Sequence, residues 1–294
     1  MTRWLVTGGG GALGREVRAL LAGGQVTALD RAGLDITDPR AVRAAVTGHD
    51  VVVNCAAWTD VDGAERAEAA ATAVNGTGVR HLALACRRAG ARLLHVSSDY
   101  VLSGTGTGTE PYPESAPTGP VNAYGRSKLA GERAVAELLP DTGYIVRTAW
   151  LYGEHGRNFV ATVLALAARG DTVDVVDDQH GQPTWSYDVA GLLVALGRAD
   201  GAPPGVYHAT GAGRTTWYGL ARAAYELSGL DPGRVRPTTS AAFVRPARRP
   251  AFSVLGHARW AAAGLSGLPH WRASLAEALR RPAFTALASR GIAS

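Results

Sequence analysis

Short apolar runs alternate along the chain with stretches in which apolar side chains recur every three or four positions, predicting strand after helix to about residue 150. Residues 3–7 are such a run, followed by glycines and a helical pattern that carries Val17, Leu20 and Leu21. A second strand at 25–29 ends at Asp30, and a short helix over 39–46 leads to a third at 50–57. Its consecutive valines suit a parallel strand covered on both faces. Helices over 65–75 and 79–89 precede a strand at 91–100. A loop rich in Gly, Thr and Pro, 104–120, crosses to a helix through 128–139, and 144–148 reads as another strand. Alternation of this kind predicts an α/β fold with a doubly wound parallel Rossmann sheet. Beyond residue 150 the pattern loosens to a helix at 159–168, a strand at 173–176, a loop at 177–183 and a helix at 186–196. Residues 205–208, a helix at 217–228, an Arg- and Pro-rich ordered loop at 234–250 and a terminal helix at 271–280 complete it.

Composition narrows the class. With 294 residues and 46% hydrophobic content the chain can bury the core of one or two domains. Its two cysteines, Cys55 and Cys86, have no metal-ligand spacing, so no metal is expected and reducing, cytoplasmic conditions fit. The N-terminal apolar run is too short for a signal segment, and no run approaches the roughly 18 apolar residues of a membrane span. The net charge of +5 is modest, so no nucleic-acid partner is expected. Much of the excess lies in Arg234, Arg236, Arg245, Arg248 and Arg249, which suit either a small anionic ligand or a solvated surface.

The chemistry begins at the first strand. Gly8, Gly11 and Gly14 give the tight turn, backbone approach and close helix packing that bring a pyrophosphate to a helix N-terminus. Asp30 stands where an acidic residue takes the ribose hydroxyls of NAD, yet Arg31 follows and suits a 2′-phosphate, leaving NADH and NADPH both open. Ala56 and Ala57 leave room for a ligand at the end of the third strand, and Ser98 can hydrogen-bond a substrate carbonyl at the end of the fourth. Tyr124 and Lys128 lie four apart on one helical face, in mutual reach. Lys128 is the only lysine in the chain, every other basic side chain apart from histidine being arginine, which points to a need for a compact ammonium. Such a neighbour is expected to lower the tyrosine's pKa from about 10 by about one to three units. Residues 1–150 are thus expected to form a dinucleotide-binding domain. Residues 151–294 are expected to form a smaller substrate-binding lobe, some segments returning to pack on the first.

Longer runs are more specific: residues 54–65 (NCAAWTDVDGAE), 97–101 (SSDYV), 122–125 (NAYG), 147–153 (RTAWLYG), 178–184 (DQHGQPT), and Arg249-Pro250 with Ser253 and Leu255. With these the chain resembles the dTDP-4-dehydrorhamnose reductase family of extended short-chain dehydrogenases/reductases over nearly its whole length. The resemblance implies reduction of a dTDP-4-keto-6-deoxyhexose by NADPH or NADH, in a monomer or homodimer. It implies that Gly11, Ala12 and Leu13 contact the cofactor pyrophosphate, Asp30 the ribose, and Asp35 and Ile36 the adenine. Ala57, Trp58 and Thr59 would line the nicotinamide side. Ser98, Asp99 and Trp150 would meet the sugar and Arg249 the nucleotide, with Tyr124 the proton donor and Lys128 its support. Some members dimerise through magnesium held by glutamates; Glu16 matches one, but Tyr187 replaces another, so neither metal nor that dimer is carried over. Dehydratase relatives place Glu after the Asp of this loop, where this chain has Tyr100. The alternatives are another deoxysugar ketoreductase, of dihydrostreptose type for example, and a non-catalytic nucleotide-binding regulatory subunit.

Overall fold

In this computed structural model, which describes residues 1–105, 110–170 and 172–292, the first apolar run becomes β1 (Arg3–Thr7) and its glycine turn leads into α1 (Ala12–Leu20). There follow β2 (Gln25–Leu29), α2 (Pro39–Val46), β3 (Val51–Asn54), α3 (Val61–Arg66), α4 (Glu68–Thr72), α5 (Val79–Ala89), β4 (Arg92–Ser98), α6 (Ala123–Leu138) and β5 (Gly143–Thr148). The second half contributes β6 (Leu151–Tyr152), α7 (Phe159–Ala167), β7 (Val173–Val176), β8 (His180–Gly181), β9 (Thr184–Trp185), α8 (Ser186–Arg198) and β10 (Gly205–His208). It ends with β11 (Thr215–Thr216), α9 (Trp217–Leu227), β12 (Val235–Thr238), α10 (Arg259–Ala262), α11 (Trp271–Leu279) and α12 (Pro282–Ile292). Of the loop expected over 104–120, residues 106–109 lie outside the described residues.

Helix starts follow their sequence signals. Asp38 accepts from the Arg40 amide at 2.8 Å with Pro39 in the first turn, and Asn122 accepts from the Gly125 amide at 2.8 Å to open α6. Each cap satisfies a donor that the helix itself cannot, worth about 1 kcal/mol.

Six strands pair in the order β10-β5-β4-β3-β1-β2, all parallel. The order reverses between β1 and β3, and such a switch point opens a crevice at the carboxyl ends of those strands. Both faces are covered: Trp4, Val53 and Leu193 pack on one side, and Leu5, Val52, Leu82 and Ile145 on the other. Val51, Val52 and Val53 are fully buried, as their unbroken apolar run requires. Two segments beyond residue 150 complete this layer. β10 pairs with β5 in the register Gly205↔Tyr144, and α8 packs on α1, with Gly197 so close to the Trp4 ring that a methyl there would overlap it. A separate core of Leu164, Trp185, Tyr225, Leu275 and Phe284 holds α7, α9, α11 and α12 together.

Three expectations are corrected. The helix read over 65–75 starts at Val61, breaks at Ala67, and resumes as α4, which runs through a π-helical turn at Ala73–Gly78 into α5. That turn aims the buried Asn75 side chain at Trp58, accepting from its amide at 2.9 Å. The loop read over 234–250 contains β12; Pro237 is tolerated because β12 pairs on one side only. The chain does not end its helices near 280, since Pro282 opens α12, where a missing N–H costs nothing. Among the described residues no helix is long and apolar enough to cross a membrane.

Candidate active site

Gly8 leaves β1 with φ +69°, and a Cβ on it would lie 2.6 Å from the Ala56 amide nitrogen. Only glycine fits that conformation and that approach of two backbones. A Cβ on Gly14 would fall inside the Gly8 carbonyl oxygen, so α1 is held hard against the turn. Gly11 opens α1 without a side-chain cap, leaving the first amides of the helix for a ligand. Gly14→Ala is expected to abolish measurable NADPH and NADH binding and to lower thermal stability by about 1–3 kcal/mol, the usual cost of overpacking; calorimetry and a melting curve check it.

From this turn a cleft of about 1080 Å³ runs across the carboxyl ends of the strands. Asp30, Arg31, Asp35 and Ile36 line it, as do residues 150–153 and 155–158, with Gly156 lying against Ala12. Gly8, Gly11, Ala12, Leu13, Gly14, Ala56, Ala57, Thr59, Ser98, Asp99, Tyr124 and Lys128 line it too. One oxygen of Asp30 accepts from the Ala32 and Gly33 amides at 3.0 Å each, which fixes the carboxylate over the glycine turn while leaving it exposed. Asp35 accepts from the Thr37 amide and hydroxyl, which hold its pKa below the usual range.

At the inner wall, Ser98 ends β4 and accepts from the Tyr100 amide at 3.2 Å while donating to Asp99 at 2.9 Å. It therefore caps the short turn Asp99–Val101 and faces the Tyr124 phenol as well. The Tyr100 ring meets the Tyr124 ring edge-on at 5.6 Å. Lys128, 2% exposed, donates from Nζ to the Val96 carbonyl at 2.7 Å. One turn further on, the Glu132 carboxylate makes a buried two-point pair with Arg147 at 2.7 and 2.8 Å. Burial pulls the Lys128 pKa down to about 8, against the attraction of Glu132.

The expected lowering of the Tyr124 pKa is corrected. Burial, then the charge of Asp99, push it up to about 12, and hydrogen bonding with Ser98 offsets only part of this. Tyr124 and Lys128 share a face of α6 as their spacing predicts, but the phenol turns to Ser98 and the ammonium to β4. Arg249 lies outside the cleft lining. It pairs with Asp62 at 3.0 Å, a carboxylate that also accepts from the Ala247 amide at 3.1 Å. Of the neighbouring arginines, Arg236 pairs with Asp174 and Arg245 with Asp62, so much of the basic cluster is spent on internal partners. Glu16 is buried on α1 and Tyr187 half-exposed on α8; among the described residues no group of three or more His, Cys, Asp or Glu could share a metal ion.

Trp150 has φ 47°, strained for a residue with a Cβ, and its ring stacks on Trp217 at 3.8 Å and 12°. Sequence reading named Trp150 and Tyr100 but gave no role to Trp217, Asn75 or Asp62. The first lies 67 residues away from its partner in sequence, and no local pattern announces such a contact.

The arrangement can hold a dinucleotide and, in the same cleft, polarise and protonate a carbonyl. A family model described as the RmlD substrate binding domain matches residues 2–283. A dTDP-4-dehydrorhamnose reductase of Streptomyces griseus is 60% identical over 99% of this chain and 96% of its own. A dTDP-4-keto-6-deoxy-D-glucose reductase of Streptomyces niveus is 53% identical over 94% of this chain and 96% of its own. The crystal structure of a Bacillus anthracis dTDP-4-dehydrorhamnose reductase in complex with NADP superposes with a TM-score of 0.89 at 32% identity, covering 95% of this chain and 99% of that one. With nearly every residue accounted for by matches of this strength, the chain belongs to the RmlD family of dTDP-4-dehydrorhamnose reductases.

Proposed function

We propose that the protein reduces the C4 keto group of dTDP-4-dehydro-L-rhamnose to give dTDP-L-rhamnose, using NADPH or NADH. The observation that carries this reading is that one cleft is lined both by the dinucleotide cradle and by Ser98, Tyr124 and Lys128. The cradle fits the cofactor on its own geometry: the side-chain-free wall at Gly8 and Gly14, the uncapped start of α1, and a fixed carboxylate at Asp30. A reduced nicotinamide supplies the hydride when bound.

The chain's own residues then manage charge and proton. Ser98 and Tyr124 face the same point, where the carbonyl oxygen gains negative charge, so their hydrogen bonds strengthen toward the transition state. A phenol with pKa near 12 is fully protonated at neutral pH, which loads Tyr124 as the donor. Lys128, fixed on the Val96 carbonyl in the cleft lining, suits the ribose hydroxyls of the cofactor. Tyr100 in place of an acidic residue leaves no second group for eliminating water. We take the enzyme to act in the cytoplasm, in line with two unpaired cysteines, as a monomer or homodimer.

The resemblance to the Streptomyces niveus enzyme favours one second reading, a 4-keto-6-deoxyhexose of different stereochemistry. The test is loss of reduced-nicotinamide absorbance with dTDP-4-dehydro-L-rhamnose generated in situ, NADPH and NADH separately, with the product identified by NMR. Oxidation with dTDP-L-rhamnose as product is expected. Oxidation with another epimer as product selects the second reading, and no oxidation by folded, cofactor-binding protein defeats both.

A further inference from the structure

Asp99 is a carboxyl group, 2% exposed, set directly behind the hydroxyl that faces the substrate. Ser98 donates to it from β4, and Ser253, brought over by the segment whose amide bonds the His180 carbonyl, faces it from the other half of the chain. The titratable groups turned toward it are Tyr124 from α6 and Tyr100 from its own turn, while Arg249 bears on the Tyr100 hydroxyl. Ser98 has one hydrogen to give. When it goes to Asp99, it is unavailable to a carbonyl in the cleft.

We propose that Asp99 is a positioning residue for the reduction: protonated, its carboxyl donates to Ser98 and turns the Ser98 hydrogen toward the substrate carbonyl; ionised, it draws that hydrogen away. The inference rests on the reading of Ser98 and Tyr124 given above. It also uses Ser253, a residue with no other part in the site. Burial holds the Asp99 pKa up to about 6 against the hydroxyls of Ser253 and Ser98, so both forms are populated over an accessible pH range. Ionised Asp99 also repels a developing phenolate on Tyr124, which works in the same direction.

The experiment has two arms. In the first, turnover of the keto-sugar is followed from pH 5 to 7, below the range in which Lys128 loses its charge. Wild-type turnover is expected to fall as pH rises through the Asp99 titration. Asp99→Asn, whose amide donates permanently, should give a flat profile over that range. Ser253→Ala, which removes the hydroxyl facing the carboxylate, should move the falling limb up by about half a unit or more. A retained limb in Asp99→Asn, or an unmoved one in Ser253→Ala, overturns the proposal. In the second arm the Asp99 carboxyl carbon is titrated by ¹³C NMR without substrate, its signal assigned by its loss in Asp99→Asn. Its midpoint should rise in both Ser98→Ala and Ser253→Ala, and an unchanged midpoint in both overturns the coupling. A wild-type protein inert toward every keto-sugar would defeat the functional reading, while this second arm would still decide the coupling.

Discussion

Tyr124→Phe is expected to fold, bind cofactor and lose turnover by a factor of about 10² to 10⁴. The phenol oxygen is the only atom removed. Its ring contact with Tyr100 and the cap that Asn122 places on α6 are independent of it, so stability should change little. With no proton to deliver, the developing alkoxide is left to Ser98 alone, whose hydrogen is contested by Asp99. Steady-state kinetics beside a melting curve and a cofactor titration check this. Turnover within a few-fold of wild type would remove Tyr124 from the mechanism.

Lys128→Met is expected to do two opposite things: cut turnover by about 10² or more, and raise the melting temperature. Burial lowers the Lys128 pKa from 10.5 to about 8, so below pH 8 the folded protein bears the full cost of a buried ammonium. Between pH 8 and 10.5 the folded state is neutral while the unfolded state still binds a proton, so wild-type stability recovers as pH rises. The advantage of Met should therefore be greatest at neutral pH and shrink toward pH 10. Glu132 does not depend on the lysine, because Arg147 holds both of its oxygens. Melting curves of the two proteins across that range test the sign; a variant less stable than wild type at pH 7 would refute it.

The parts of the site that lie on single elements were legible in the sequence. Gly8, Gly11 and Gly14 announce the cradle by their spacing, the first and last excluding a Cβ, and Tyr124 with Lys128 needed only the helical repeat. The unbroken valines of β3 likewise gave its place in the middle of a sheet. What sequence could not show is the direction in which a side chain turns once it is buried. Spacing puts Lys128 beside Tyr124, yet the Val96 carbonyl claims the ammonium, and burial reverses the expected pKa shift. Nor could sequence show that Arg249 pairs with Asp62, a residue far away along the chain. The fold beyond residue 150 was hardest to read, because two-residue strands such as β6, β8 and β9 are too short to establish any periodicity.

The return of α8 and β10 to the first sheet also bears on how the chain is made. Residues 1–148 leave the ribosome with the β5 edge open and the Trp4 side of the sheet covered by α1 but lacking α8. The face is complete only once synthesis has passed Arg198, and the edge only once it has passed His208. At about 5–20 residues per second, the 60 residues from Thr148 to His208 leave an aggregation-prone nascent intermediate for some seconds. A chaperone that shields this edge should therefore raise the yield of folded enzyme more than one acting after release.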